Sequence, residues 1–170
     1  MVDGNRIFEV NQFLTFTIGE DVFALEITRV REVIDHIDIT KVPRMPGHLR
    51  GVINLRGNIL SVIDLAMVLG MQPIEKTEDK CIVIVEVKDD GNITRMGALA
   101  DSVREVIHLD PDRIDPTPRV GMKLDPDFIL GIGKRNDSFI IILDIDDVLS
   151  DDHLLQVEKT NEKTGSHFAG

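Results

Sequence analysis

Five histidines, one cysteine and a knot of aspartates are the residues here that could hold a metal or move a proton. His36, His48, His108, His153 and His167 are scattered, with no pair at ligand spacing and no cysteine partner. Asp144, Asp146, Asp147, Asp151 and Asp152 could offer oxygens to a hard cation. The plainer reading has Asp144 capping a short helix, with the other carboxylates solvated near its N-terminal end. Gly131-x-Gly133 lacks the third glycine and the long following helix of a dinucleotide site. No Gly-x-Ser-x-Gly or comparable nucleophile motif occurs. The expectation is a chain with no catalytic residue, no metal site and no cofactor.

Recognition of another protein is a different chemistry, and Val30, Glu32 and Arg56 have the types for it. Val30 and Glu32 lie two apart and so share one face of a strand. An apolar residue beside a charge on a strand face suits an interface better than a core. An exposed Glu32–Arg56 ion pair would contribute only about 0–1 kcal/mol to stability. Its value would lie in what it presents. For Val30, Val103 and Val106 the competing reading is simple core packing.

The elements that must position these residues are strands. With 21 Ile and 17 Val in 170 residues, and no Trp or Tyr, β-branched side chains dominate the apolar content. Gln12–Ile18 and Asp21–Ile27 read as a hairpin across Gly19-Glu20, and Val30–Ile34 continues in the same style. Pro43, Pro46 and Gly47 mark a loop, with one helical turn expected near Gly47–Leu49. Val52–Leu55 and Ile59–Ile63 flank Arg56-Gly57-Asn58, another hairpin signal, and Asp64 caps a short helix through Leu69 that Gly70 stops. Gln72–Lys80 is a polar connector. Cys81–Val87 is a continuous apolar run fit for a doubly buried strand, followed by Ile93–Leu99 and Val103–Ile107. After a proline-rich loop, Leu130–Gly133 and Phe139–Leu143 form a last hairpin, and Asp144 caps a helix to Leu149. From Asp151 onward the tail is polar, with a fraying helical stub and then disorder expected.

The chain repeats itself. Val30-Arg31-Glu32-Val33-Ile34 recurs unchanged at Val103-Arg104-Glu105-Val106-Ile107, a shift of 73. Pro43 and Pro116 keep that shift, and after a seven-residue insertion it becomes 80 for Gly51, Asp64, Val68 and Leu69 against Gly131, Asp144, Val148 and Leu149. Each half alone has too little core for comfortable independence. The expected architecture is mainly β: one domain over 10–150, with a first small barrel at about 10–71, a second at about 79–150, and a flexible tail over 151–170. Glu32 has its counterpart in Glu105, but Arg56 is matched by Asn136. A Glu32–Arg56 pair is therefore expected in the first half only.

Thirty acidic residues against 19 basic ones give a net charge of −11, which argues against a sequence-independent grip on nucleic acid or an anionic membrane. No apolar run approaches the roughly 20 residues that span a bilayer, and no signal-peptide core follows the first six residues. The single Cys81 fits a reducing compartment, so a soluble cytoplasmic protein is expected.

Val30-x-Glu32-Val33, followed by Gly51-Val52-Ile53-Asn54-Leu55-Arg56-Gly57-Asn58-Ile59-Leu60-Ser61-Val62-Ile63-Asp64-Leu65, resembles the signature of the CheW family of chemotaxis coupling proteins. Met96-Gly97-Ala98-Leu99-Ala100-Asp101-Ser102-Val103 is similar to the family's second-half Val-Gly-x-x-Val-Asp-x-Val segment. The similarity runs from about Val10 to Asp151. It implies two SH3-like five-stranded barrels and a non-enzymatic adaptor. Such proteins bridge the histidine kinase CheA, through its regulatory domain, to the cytoplasmic tips of methyl-accepting chemoreceptors. They work in a membrane-associated array without inserting in the membrane. Carried over by position, the resemblance implies kinase binding at Val30, Glu32, Gly51 and Arg56. It implies receptor binding in an apolar groove between lobes at Ile82, Gly97, Leu99, Val103 and Val106. The alternatives are the same module in a pili or developmental kinase pathway, or a small-molecule-binding double barrel.

Overall fold

Short strands, reversed at residues with left-handed backbone, make up more than half of the described structure. The computed structural model describes residues 11–35, 38–74, 80–116, 124–155 and 157. The first hairpin joins β1 (Gln12–Ile18) to β2 (Asp21–Glu26), and a one-turn 3-10 segment, Ile27–Arg29, leads into β3 (Val30–Asp35). Three more hairpins follow: β4 (Leu49–Leu55) with β5 (Asn58–Asp64), β6 (Cys81–Asp89) with β7 (Asn92–Ala100), and β10 (Ile129–Arg135) with β11 (Ser138–Leu143). Their two-residue turns, Arg56-Gly57, Asp90-Gly91 and Asn136-Asp137, all have positive φ at both positions. That geometry matches the twist of the flanking strands. β8 (Ser102–His108) and the two-residue β9 (Ile114–Asp115) complete the set.

The strands form two sheets that curl into barrel-like lobes. In the first lobe the order is β3-β6-β7-β5-β4, and in the second it is β8-β1-β2-β11-β10-β9. The lobes therefore do not follow the halves of the sequence, and the expected boundary between 71 and 79 is corrected. The N-terminal hairpin β1–β2 completes the second lobe, whereas β6–β7 completes the first. Burial gives the reason. Ile82–Val85 of β6 and Phe13–Phe16 of β1 are buried on both faces, and only a central position supplies that. β6 lies between β3 and β7, and β1 lies between β8 and β2. The duplication itself persists, because β5 pairs parallel with β7 just as β11 pairs parallel with β2.

The central core crosses the lobe boundary. Leu14, Phe16, Ile18, Phe23 and Leu25 of the N-terminal hairpin pack in one cluster with Ile53, Val62, Ile84 and Leu99 of the first lobe. The opposite face of that hairpin, with Phe13 and Ala24, fills the second barrel beside Ile107, Ile114 and Ile142. Asp64 caps α1 (Leu65–Val68) and Asp144 caps α2 (Ile145–Val148), each accepting a backbone N–H three residues on. The helical turn expected at Gly47–Leu49 is a plain turn, because β4 already begins at Leu49. Helix also covers 151–155, while most of the expected flexible tail lies outside the described residues, as do His36 and His167.

Candidate functional site on the first lobe

Glu32 lies on β3 and Arg56 opens the β4–β5 turn, 24 residues later. Barrel curvature brings them together. Arg56 Nη1 donates to Glu32 Oε1 at 2.7 Å and Nη2 donates to Oε2 at 3.1 Å, a planar fork on a carboxylate. The bond from Arg56 and its positive charge hold the Glu32 carboxyl below the usual range, and Glu32 raises the guanidinium in turn. Arg56 remains 71 % exposed, so the pair is an ordered charge held out to solvent.

Gly51 supports this hairpin from beneath. Its φ is 147°, and a Cβ there would collide with the Thr40 carbonyl and come within 2.8 Å of Ile39 Cγ2. That close approach lets Thr40 pair with Val52 at the edge of β4. Gly51 is buried and cannot touch a partner, so its role at this face is to shape it. Val30 is half-buried and packs against the central core, and a bulge separates it from Glu32. The interior reading therefore holds for much of its side chain.

The expectation that a Glu–Arg pair belongs to the first half alone is corrected. Glu105 meets Arg135 at 3.6 Å in the second lobe. Arg135 ends β10, one position before the residue equivalent to Arg56, yet its long stem still reaches the glutamate. The asymmetry is one of geometry: two short bonds against one long contact.

The residues expected to line a receptor groove separate into two groups. Ile82 and Leu99 are 2 % and 1 % exposed and belong to the core. Gly97 is buried beneath Ile82, whose Cγ2 would lie 2.8 Å from an added Cβ. Val103 is half-buried against the core, and Val106 is 47 % exposed on the same strand, β8. The first three can only shape a wall; the last two present surface.

A model of the CheW-like domain family matches residues 12–153. The chain belongs to that family. The chemotaxis protein CheW of Helicobacter pylori is 32 % identical over 144 residues, covering 85 % of this chain and 84 % of that one. The chemotaxis protein CheW of Thermotoga maritima is 32 % identical over 154 residues, covering 89 % and 93 %. Among solved structures, the scaffolding protein TtCheW from Thermoanaerobacter tengcongensis superposes with a TM-score of 0.74 at 35 % identity. That superposition covers 85 % of this chain and 95 % of the other. The family is one of chemotaxis adaptors, and this CheW-like chain is such an adaptor with the mainly β, two-lobed fold of its relatives.

Two features of the CheW-like lobes escaped the sequence reading. Asp146 is not a solvated acid: Arg29 forks onto it and the Lys88 backbone N–H donates to it. The repeat held the clue, since Arg29 and Asp146 align with the neutral Ser102 and Ala66. Asp64 is fully buried and accepts from Met67, Ile74 and Arg50. Among the described residues no His, Cys, Asp and Glu group is arranged to hold a metal, and no helix is long and apolar enough to cross a membrane.

Proposed function

We propose that this CheW-like adaptor joins the regulatory domain of the histidine kinase CheA to the cytoplasmic tips of methyl-accepting chemoreceptors. The kinase takes the Glu32–Arg56 face. It works by binding alone, without catalysis, on the cytoplasmic side of a membrane-anchored receptor array. The observation that carries this reading is the fork of Arg56 onto Glu32, an oriented charge pair on an otherwise shallow surface. A pair already formed in the free protein costs little ordering entropy on association. Gly51 and Val30 support that face from within. On the receptor side, Val103 and Val106 offer contact along β8, and Ile82, Gly97 and Leu99 set the shape of the wall behind.

Reconstitution tests the reading: CheA autophosphorylation is followed with receptor cytoplasmic fragments, with and without this protein. Strong stimulation that needs all three components, and that Glu32→Lys abolishes without unfolding, is the expected result. Normal stimulation by a folded Glu32→Lys protein contradicts the kinase-face assignment. No stimulation by the wild type with its cognate kinase contradicts the coupling role.

A further inference from the structure

Both seams between the lobes hold an ion pair, but only one holds the two-bond fork of an arginine on a carboxylate. The 3-10 segment Ile27–Arg29 carries the chain from β2 of the second lobe to β3 of the first. Arg29 ends it with a side chain only 14 % exposed. Its Nη1 donates to Asp146 Oδ2 at 3.0 Å, and its Nη2 donates to Asp146 Oδ1 and, at 3.0 Å, to the Glu86 carbonyl. Asp146 Oδ1 also accepts the Lys88 backbone N–H at 2.6 Å. One carboxylate on α2 of the second lobe thus holds both the connector and β6 of the first. Further along the same seam, the Asp151 N–H donates to Asp89 Oδ2 at 3.0 Å. His153 Nε2 donates to the Val68 carbonyl at 2.6 Å while its ring lies 4.4 Å from Phe128.

The opposite seam is built differently. Under the repeat, Arg29 and Asp146 become Ser102 and Ala66, which cannot form an ion pair. There the lobes meet through the Asp101 N–H to the Thr17 carbonyl at 3.0 Å and the Gly19 N–H to Asp101 Oδ2 at 2.6 Å, while Lys80 Nζ meets the other carboxylate oxygen at 3.1 Å. Beside them is a cleft of about 490 Å³, lined in part by Ile18, Met71, Ile74, Lys80 and Asp101. The lobes thus share a core and are bonded along both edges, and the edge with the arginine fork is held by more and better-oriented bonds.

We propose that the Arg29–Asp146 fork is the clamp that fixes the angle between the two lobes, and with it the width of the opposite cleft. Arg29 and Asp146 are positioning residues: they touch no partner but set where the kinase face of one lobe stands relative to β8 of the other. Both groups are largely removed from water, and a planar guanidinium on a carboxylate resists rotation in a way that a single contact does not. Burial by itself would lower the Arg29 pKa. The Asp146 bond, with the charges of Asp146, Glu26 and Asp144, raises it instead, as a strongly held cation requires.

Residual dipolar couplings on the full chain test the clamp, because they report lobe orientation directly. In the wild type, one alignment tensor is expected to fit both lobes. In Asp146→Asn, which keeps the side chain's size but not its charge, the lobes are expected to need separate tensors of unequal magnitude. Strand chemical shifts within each lobe should stay in place. Arg29→Lys, which keeps the charge but not the fork, should act in the same direction and decides the matter if Asp146→Asn fails to fold. Asp146→Asn combined with Arg29→Gln should be no looser than the worse single variant, since each removes the same interaction. A single tensor with wild-type lobe orientation in a folded variant overturns the clamp. The consequence for signalling rests on the partners proposed above: a folded Asp146→Asn protein should bind kinase within twofold of wild type yet lose receptor-dependent stimulation. Separate tensors, in a system where even the wild type couples nothing, would refute those partners and leave the clamp standing.

Discussion

The two lobes share one arrangement of five equivalent strands, to which the second adds the short β9, and at the same place each holds a glutamate toward a hairpin arginine. In the first, Arg56 occupies the turn itself and grips Glu32 with two bonds of 2.7 and 3.1 Å. In the second, Arg135 is the last strand residue before the turn, and it reaches Glu105 only at 3.6 Å. Ile59 and Phe139, equivalent under the 80-residue shift, are both exposed bulky side chains just beyond those turns. Duplication therefore copied the general surface, and moving an arginine by one residue distinguished the copies. Neighbouring positions on a strand point to opposite faces, so a one-residue offset changes the side from which the guanidinium must approach.

The glycine beneath each hairpin should give the largest difference between lobes. Gly51→Ala forces a side chain into positive φ and against the Thr40 backbone. The expected loss, from strain and overpacking together, is about 2–5 kcal/mol. At Gly131 the nearest atoms would be the Ile114 Cγ2 at 2.6 Å and the Asp115 carbonyl at 3.1 Å, and the backbone is not left-handed. There the loss should be about 1–3 kcal/mol. Urea denaturation of both variants checks the order, and a more damaging Gly131→Ala would contradict it.

A smaller difference lies at the helix caps. Asp64 is fully buried and faces Arg50, whose counterpart in the second lobe is Leu130. Desolvation pushes the Asp64 pKa up, against its hydrogen bonds and the Arg50 charge. The folded state therefore holds the Asp64 proton more tightly than the unfolded chain does. Stability from this group is full below the ordinary carboxylate value of 3.8 and is lost as pH rises toward the raised one. Above that point Asp64 is charged and needs its cation. Arg50→Met should cost about 1–2 kcal/mol at neutral pH, and the cost should shrink as the pH falls and Asp64 takes up a proton. Thermal melts of wild type and variant from pH 3.5 to 7 measure it, and a pH-independent difference would contradict the pairing.

Local signals account for how much of this could be read in advance. The hairpin turns, the Asp64 and Asp144 caps and the buried run of β6 are each written in adjacent residues. Even the Glu32–Arg56 pair is marked by its motif. Which hairpin completes which barrel is not local. The identical spacing of the halves concealed that β1–β2 and β6–β7 exchange places, because the order of elements along the chain is compatible with either pairing. Ile82 and Leu99 look the same in sequence whether they face a groove or a core, since a central strand is apolar on both sides. Asp146 resembled a solvated acid because its partner, Arg29, is 117 residues away.

The most direct test of lobe specialisation is a chemical-shift map of ¹⁵N-labelled protein titrated with unlabelled kinase regulatory domain. Perturbations should centre on β3 and the Arg56-Gly57 turn, vanish in Glu32→Lys and persist in Glu105→Lys. A map centred instead on β8 and the Asn136-Asp137 turn, lost in Glu105→Lys and kept in Glu32→Lys, would show that the kinase face belongs to the other lobe.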